Sequence, residues 1–238
     1  WKGTEVGEKF MGELKAAFCF LRDGSATLSQ HIGDLEDART RDDYRAALDL
    51  YRELFRLAPG IVAVDLHPDY ASTRIGEALA GTLGARLLRI QHHHAHLAAC
   101  LAENGVGPDD AECDPVLGIV LDGTGLGTDG TIWGGELLLG GYRRFVRVGH
   151  LRPVALPGGE RAVREPWRNT YAHLARALGR DWVRNSDALP LAEFMKAKPL
   201  ATLDGMIERG INSPLANSAG RLFDAVAGAI GICRERQA

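Results

Sequence analysis

Short apolar runs of strand length alternate with longer segments of helical periodicity along this chain, and this alternation restricts the possible folds more than any other feature. The runs 61–66 and 116–121 have the length and the aliphatic composition of buried strands, and 86–90 is predicted to be a further strand. Apolar residues recur at helical spacing over 43–57 and 72–83. Strands that alternate with helices predict an α/β fold with a parallel or mixed sheet.

Turn signals divide this pattern into two lobes of similar plan. Asp23-Gly24 predicts a hairpin between strands 14–21 and 26–32, and Pro59-Gly60 ends the helix that precedes the third strand. After Pro115 the pattern restarts with strands 116–121, 131–139 and 145–151, followed by helices from 162–178 onwards. We therefore predict a first lobe over residues 1–112 and a second lobe over residues 113–238. The second lobe is expected to be incomplete, because strands that would close it are missing.

A histidine cluster is the strongest chemical signal. Four of the eight histidines fall within His92–His96. If a helix begins near His92, then His92 and His96 stand at i and i+4 on one face and can share one metal ion. The side chains of His93 and His94 then point away from the metal, and we expect them either to contact the ligands or to face solvent. A cluster of satisfied, partly exposed histidines is the alternative.

A glycine-rich hairpin follows the strand 116–121. Asp122 ends that strand, a position typical of active-site carboxylates, and Gly123, Gly125 and Gly127 come directly after it. Glycines let the backbone approach a ligand closely and can direct N–H groups at a phosphate. The segment fits neither common phosphate-binding motif, so an ordinary hairpin remains the alternative.

Composition excludes several classes of protein. With 45% hydrophobic and 25% charged residues, the chain of 238 residues is expected to be globular rather than disordered. A net charge of −3 without a basic block gives no indication of nucleic-acid binding, and no apolar run approaches the roughly 20 residues of a membrane span. Four widely spaced cysteines favour a reducing cytoplasm: Cys19, Cys100, Cys113 and Cys233. Because the chain starts at Trp1, we expect a piece of a longer protein.

Short motifs follow one another in order along nearly the whole chain. They include Asp65-Leu66-His67-Pro68, Gln91-His92-His93-His94-Ala95-His96, Leu121-Asp122-Gly123-Thr124-Gly125, Trp133-Gly134-Gly135-Glu136 and Gly220-Arg221-Leu222-Phe223-Asp224-Ala225. In this combination the chain resembles the C-terminal part of the HypF family, carbamoyltransferases that mature [NiFe]-hydrogenases. The resemblance implies a duplicated two-lobed fold of the actin/sugar-kinase (ASKHA) type, shared with the TsaD and TobZ proteins.

The resemblance also implies a site and a reaction. Among the metal ligands of the family, the two histidines match His92 and His96 and one aspartate matches Asp122, while the final aspartate is expected in a C-terminal segment outside this chain. This donor set suits either iron or zinc. The nucleotide is ATP or AMP in the form of carbamoyl adenylate, and the carbamoyl group passes to the C-terminal cysteine of the partner HypE, on the way to a cyanide ligand. Longer members carry acylphosphatase-like, zinc-finger and YrdC-like domains upstream, which are absent here. We therefore expect a fragment of the transferase domain, inactive or incomplete alone.

Individual roles follow as predictions. The catalytic candidates are Asp122, Lys15 and Glu136, where Lys15 neutralises phosphate or is a surface lysine, and Glu136 is an acid/base or a strand-end carboxylate. The predicted nucleotide contacts are Gly123, Thr124, Gly125, Gly127, Gly134 and Gly135. Two other classes stay open: a small-molecule kinase of the same fold, and a non-catalytic module that binds nucleotide or a partner.

Overall fold

A computed structural model describes residues 7–11, 16–186 and 188–235, with the backbone alone for residues 7–11 and 111–113. The chain divides into two compact units, residues 1–95 and 96–238. The dividing point lies within a continuous helix, α3 (His92–Glu103). The predicted lobe boundary at residues 112 and 113 stays a prediction.

The first unit is built on a mixed five-stranded sheet with the described order β3-β2-β1-β4-β5. Its strands are β1 (Gly7–Met11), β2 (Ala17–Arg22), β3 (Ser25–Leu28), β4 (Ile61–Asp65) and β5 (Arg86–Ile90). Its complete helices are α1 (Ala38–Leu54) and α2 (Ala71–Leu83). Antiparallel strands β1 to β3 are followed by the parallel pairs β1–β4 and β4–β5.

The hairpin predicted at Asp23-Gly24 is confirmed. Both residues have positive φ, 52° for Asp23 and 77° for Gly24, as a two-residue turn between twisted strands requires. Of the strand predicted over 14–21, residues 14 and 15 lie outside the described residues, and β2 runs from Ala17 to Arg22, one residue past the predicted end. Strand β1 was not expected from the sequence.

Helix α1 begins earlier than the apolar pattern indicates. The side chain of Asp37 accepts hydrogen bonds from the backbone N–H groups of Arg39 and Thr40, at 2.6 and 3.3 Å, and so caps the helix. The first turns carry charged residues and therefore contribute nothing to the apolar stripe. Tyr44 and Leu48 then bury their side chains against Phe18, whose ring meets that of Tyr44 edge-on at 5.5 Å.

The second unit contains a sheet in which β7 pairs with three other strands. The strands are β6 (Val116–Leu126), β7 (Ile132–Gly140), β8 (Phe145–His150), β9 (Val154–Ala155) and β10 (Leu215–Ala216). The helices are α4 (Pro108–Cys113), α5 (Glu160–Arg164), α6 (Pro166–Leu178), α7 (Pro190–Lys196), α8 (Leu200–Arg209) and α9 (Ala219–Ile230), with a 3-10 helix at Arg180–Ser186.

Three expectations for this unit need correction. The helix predicted over 162–178 is broken at Glu165, because Pro166 has no backbone N–H and starts a new helix instead. Strand β6 does not end at Asp122 but continues to Leu126 through an irregularity in its pairing with β7. The apolar run 116–121 was predicted to be a buried strand, whereas Leu117, Ile119 and Leu121 are 53–69% exposed.

None of the described helices combines the length and the hydrophobicity needed to cross a membrane. The prediction of an α/β fold is confirmed by these mixed sheets and their helices.

Candidate metal centre

Helix α3 begins where the sequence predicted it, because Gln91 caps its first turn. The side-chain oxygen of Gln91 accepts a hydrogen bond from the backbone N–H of His94 at 2.8 Å. The backbone carbonyl oxygen of Gln91 accepts one from the N–H of Ala95 at 3.0 Å. His92 and His96 therefore lie one turn apart on the same face of a regular helix.

Close packing holds α3 beside strand β6. Leu97 and Leu101 are buried in a cluster with Val120, Trp133 and Leu138. A Cβ atom on Gly118 would lie 2.8 Å from Cδ1 of Leu97, so a larger residue at this position would require the Leu97 side chain to move. The helix thus reaches the strand that carries Asp122.

The structure brings together the three side chains that were predicted as metal ligands. His92, His96 and Asp122 each offer one ligand atom, and these atoms lie within 4.8 Å of one another. One carboxylate oxygen of Asp122 accepts a hydrogen bond from the N–H of Gly123 at 2.6 Å, which fixes the orientation of the carboxylate. Two imidazoles and one carboxylate are a donor set that suits zinc or iron, so the residues fit a divalent ion.

His93 and His94 do not belong to this group. His93 is completely buried, and its Nδ1 atom lies 3.0 Å from Nε2 of Gln91, so the alternative of a solvent-exposed side chain is wrong for this residue. His94 is partly buried.

The carboxylate of Asp65, which was not predicted as a site residue, contacts the proposed metal ligand His92. Oδ2 of Asp65 lies 2.7 Å from Nδ1 of His92. The sequence did carry a signal, because Asp65 lies near the end of the strand predicted over 61–66 and begins the motif Asp65-Leu66-His67-Pro68.

The glycines of the hairpin are required mainly by close packing. A Cβ atom on Gly134 would lie 2.6 Å from the carbonyl oxygen of Asp122, and one on Gly135 would lie 2.6 Å from that of Asn217. A Cβ atom on Gly127 would collide with the indole of Trp133. Gly123, by contrast, faces open space, Thr124 is exposed, and Gly125 is buried.

Glu136 is enclosed by donors rather than directed at a substrate. It has no exposed surface, and its Oε1 atom accepts hydrogen bonds from the N–H groups of Gly134 and Gly135, at 3.1 and 3.3 Å, and from the amide of Asn217. Its Oε2 atom is 2.6 Å from Nε of Arg147. These contacts fill its acceptor positions and favour a structural role over the predicted acid/base role. They also occupy the N–H groups of Gly134 and Gly135.

Arg147 extends the same network to the hairpin turn. Its guanidinium lies 4.1 Å above the Trp133 ring and makes an ion pair with Asp129 at 2.9 Å. Burial raises the pKa of Asp129, but hydrogen bonds from Thr131 and Trp133 and the charge of Arg147 outweigh it and lower the pKa to about 2. Asp129 is therefore ionised at neutral pH and keeps the turn attached to β8.

The first turn of α9 is attached to the part of β6 that carries Asp122. Ser218 caps α9, accepting from the N–H of Arg221 at 3.1 Å, and its hydroxyl lies within hydrogen-bonding distance of the carbonyl oxygens of Asp122 and Gly123. A Cβ atom on Gly220 would lie 2.9 Å from Cα of Gly123.

Arg221, also missed as a site residue, is mostly buried in this turn and pairs with Asp224 at 2.9 Å. Burial lowers its pKa, while the charges of Asp224 and Asp122 act in the opposite direction. Arg221 therefore places a positive charge close to the Asp122 carboxylate. Lys15, the remaining catalytic candidate, lies outside the described residues, and its role stays a prediction.

Comparison with known proteins gives a consistent result over nearly the whole chain. Residues 10–103 match the model of the HypF Kae1-like domain, and residues 118–238 match the model of the carbamoyltransferase Kae1-like domain, second subdomain. The carbamoyltransferase HypF of Rhodobacter capsulatus is 51% identical over 227 residues, which cover 95% of this chain and 29% of that protein. HypF2 of Cupriavidus necator is 42% identical, covering 92% of this chain and 26% of that protein.

A solved structure agrees with these relatives. The crystal structure of full-length HypF in its phosphate- and nucleotide-bound form superposes with a TM-score of 0.85 at 34% identity. The match covers 97% of this chain and 28% of that chain. This chain therefore spans less than a third of the length of these relatives.

Replacing Glu136 tests the buried network. We expect Glu136→Ala to lower the free energy of unfolding by about 3–5 kcal/mol, because Arg147 loses its buried counter-charge and Asn217 its acceptor. As a control, Glu160→Ala removes an exposed ion pair with Arg164 and is expected to cost about 0–1 kcal/mol. Denaturant unfolding of both variants measures the difference. Equal, small losses would contradict the structural role.

Proposed function

The chain belongs to the HypF family, and on this premise we propose that it transfers a carbamoyl group from carbamoyl adenylate to the C-terminal cysteine of HypE. The product is a step towards the cyanide ligands of [NiFe]-hydrogenase. The observation that carries the proposal is the convergence of His92, His96 and Asp122 within 4.8 Å. In this proposal the chain is part of the transferase domain of a longer protein.

The proposed reaction is an acyl transfer that balances without a redox partner. The thiolate sulfur of HypE forms a bond to the carbamoyl carbon, the bond from that carbon to the phosphate oxygen breaks, and AMP leaves with the electron pair. The thiol proton is released. The nucleophile comes from the partner, so no side chain of this chain needs to form a covalent bond with the substrate.

His92, His96 and Asp122 are proposed to hold a divalent ion, iron or zinc. Such an ion supplies Lewis acidity to the carbamoyl oxygen or to a phosphate oxygen. The chain itself holds the metal ligands in fixed positions. The spacing along helix α3 places the two imidazoles on one face, and the N–H of Gly123 orients the Asp122 carboxylate. A preorganised donor set reduces the reorganisation that accompanies the reaction.

The nucleotide is proposed to lie along the first part of the hairpin. The nucleotide-bound form of the related HypF supports nucleotide binding in this family. Gly123 is open and Thr124 exposed, whereas the N–H groups of Gly134 and Gly135 donate to Glu136. The N–H groups of Gly123 and Gly127 also have acceptors, on Asp122 and Thr131, so exposure rather than a free N–H distinguishes the two regions. We therefore favour the open Gly123 and the exposed Thr124, beside the first turn of α9, over the buried Gly134 and Gly135 as the phosphate contacts.

The partners and the location follow from the same premise. We propose HypE as the acceptor, upstream HypF domains as the source of the adenylate, and the cytoplasm as the compartment. A kinase of the same fold would not need the histidine pair, so the clustered ligands favour carbamoyl transfer. A non-catalytic module is favoured only if the purified chain binds no metal.

Metal analysis of single variants tests the ligands. We expect His92→Ala and His96→Ala to lower the affinity for zinc strongly, since each removes a ligand. His94→Ala, a neighbouring change outside the ligand group, is expected to leave the affinity within a few-fold. Titration with Zn²⁺ against a competing chelator measures the dissociation constants. Equal affinities in the His92, His96 and His94 variants would exclude this site.

The role of Asp122 is tested in a full-length HypF that contains this domain. We expect Asp122→Ala to stop formation of the HypE thiocarboxamide, detected by mass spectrometry, while adenylate formation by the upstream domain continues, detected by pyrophosphate exchange. Thermal melting checks that the variant is folded. A normal thiocarboxamide yield from folded Asp122→Ala protein would remove Asp122 from the site.

A further inference from the structure

Strands β4 and β5 end at the same level of the first sheet. They pair in parallel, with Asp65 opposite Ile90, and these are the last residues of the two strands. Because α3 begins two residues after Ile90, its first residue, His92, lies beside the carboxyl end of β4. The register of β4 and β5 therefore decides which side chain meets His92.

Asp65 is locked in place on the side away from His92. Its Oδ1 atom accepts a hydrogen bond from the N–H of His67 at 2.8 Å, and its carbonyl oxygen lies 3.4 Å from the hydroxyl of Thr73 on α2. Only 9% of the Asp65 side chain and 19% of the His92 side chain are exposed. A carboxylate held in this way presents its second oxygen in a fixed direction.

That second oxygen lies 2.7 Å from Nδ1 of His92, a distance typical of a strong, charge-assisted hydrogen bond. We infer that Asp65 is a positioning residue that keeps the proton of His92 on Nδ1 and directs Nε2 of the same ring at the metal. The inference rests on the metal site of the proposed function and adds a residue to it. A neutral imidazole has one proton, so a carboxylate on Nδ1 makes Nε2 the coordinating atom.

The contribution of Asp65 to metal affinity can be predicted. A carboxylate behind a coordinating imidazole fixes the ring and raises its basicity, and its loss typically weakens binding by roughly 10–100-fold. Asp65→Asn keeps the size and the hydrogen bond from His67 but removes the charge. We therefore expect the dissociation constant for Zn²⁺ to rise by roughly 10–100-fold in Asp65→Asn.

A matched control comes from the same loop. Asp69 carries an exposed carboxylate that pairs with Arg74 at 3.0 Å, with 75% of the Asp69 side chain exposed. Asp69→Asn makes the same chemical change four residues further on and is expected to leave the zinc affinity unchanged. Wild type and both variants are compared by chelator competition and thermal melting. Visible spectra of bound Co²⁺ are expected to change only in Asp65→Asn, because the spectrum reports ligand geometry.

A measurement on the unaltered chain covers the case in which Asp65→Asn fails to fold. Long-range ¹H–¹⁵N NMR correlations report which nitrogen of an imidazole carries the proton, and the His92 signals are assigned by their loss in His92→Gln. We expect the Nδ1–H form in the metal-free chain. Observation of the Nε2–H form would overturn the inference.

The experiment separates this inference from the function on which it rests. If His96→Ala loses zinc affinity while folded Asp65→Asn binds like wild type, the positioning role is wrong and the metal site stands. If His96→Ala also binds like wild type, the metal site itself is wrong. A selective loss in Asp65→Asn with an unchanged Asp69→Asn supports the inference.

Discussion

The carboxylate of Glu136 imposes the constraint on which the second unit depends. A charge with no exposed surface must be matched by donors, and here they come from three separate parts of the chain: the glycines of β7, Arg147 of β8 and Asn217 before α9. Satisfying one side chain therefore fixes where β8 and the start of α9 lie relative to β7. Ser218, next to Asn217, then attaches α9 to the carbonyl groups of Asp122 and Gly123. The position of Asp122, a proposed metal ligand, is thus set by hydrogen bonds in which its own carboxylate takes no part.

In the first unit, backbone register determines which side chain lies beside the proposed metal ligand His92. Parallel pairing brings the ends of β4 and β5 to one edge of the sheet, and helix α3 begins immediately after β5. The side chains at this edge face each other without a long loop between them. Ligands at the carboxyl ends of strands are a general feature of α/β sheets. Rigid elements hold such groups more accurately than loops can.

Features that depend on neighbours in sequence could be predicted, and those that depend on distant partners could not. The Asp23-Gly24 turn and the helical spacing of His92 and His96 are local, and the structure contains both. The start of α1 was missed because its cap, Asp37, precedes a turn in which Ala38 is the only apolar residue. The burial of Glu136 could not be foreseen, since one of its donors, Asn217, lies 81 residues away. The contact between Asp65 and His92 likewise required the strand register.

The glycine contacts between α9 and β6 have a mechanical consequence. At Gly220 and Gly123 the two backbones meet without any side chain between them, and at Gly134 the neighbouring strand approaches the carbonyl of Asp122 in the same way. Side chains in an ordinary interface can change rotamer and absorb a small displacement, but bare backbone cannot. A shift of the first turn of α9 would therefore act directly on the backbone of β6 at Asp122 and Gly123. A molecule that displaced the start of this helix would therefore also displace the backbone that carries Asp122.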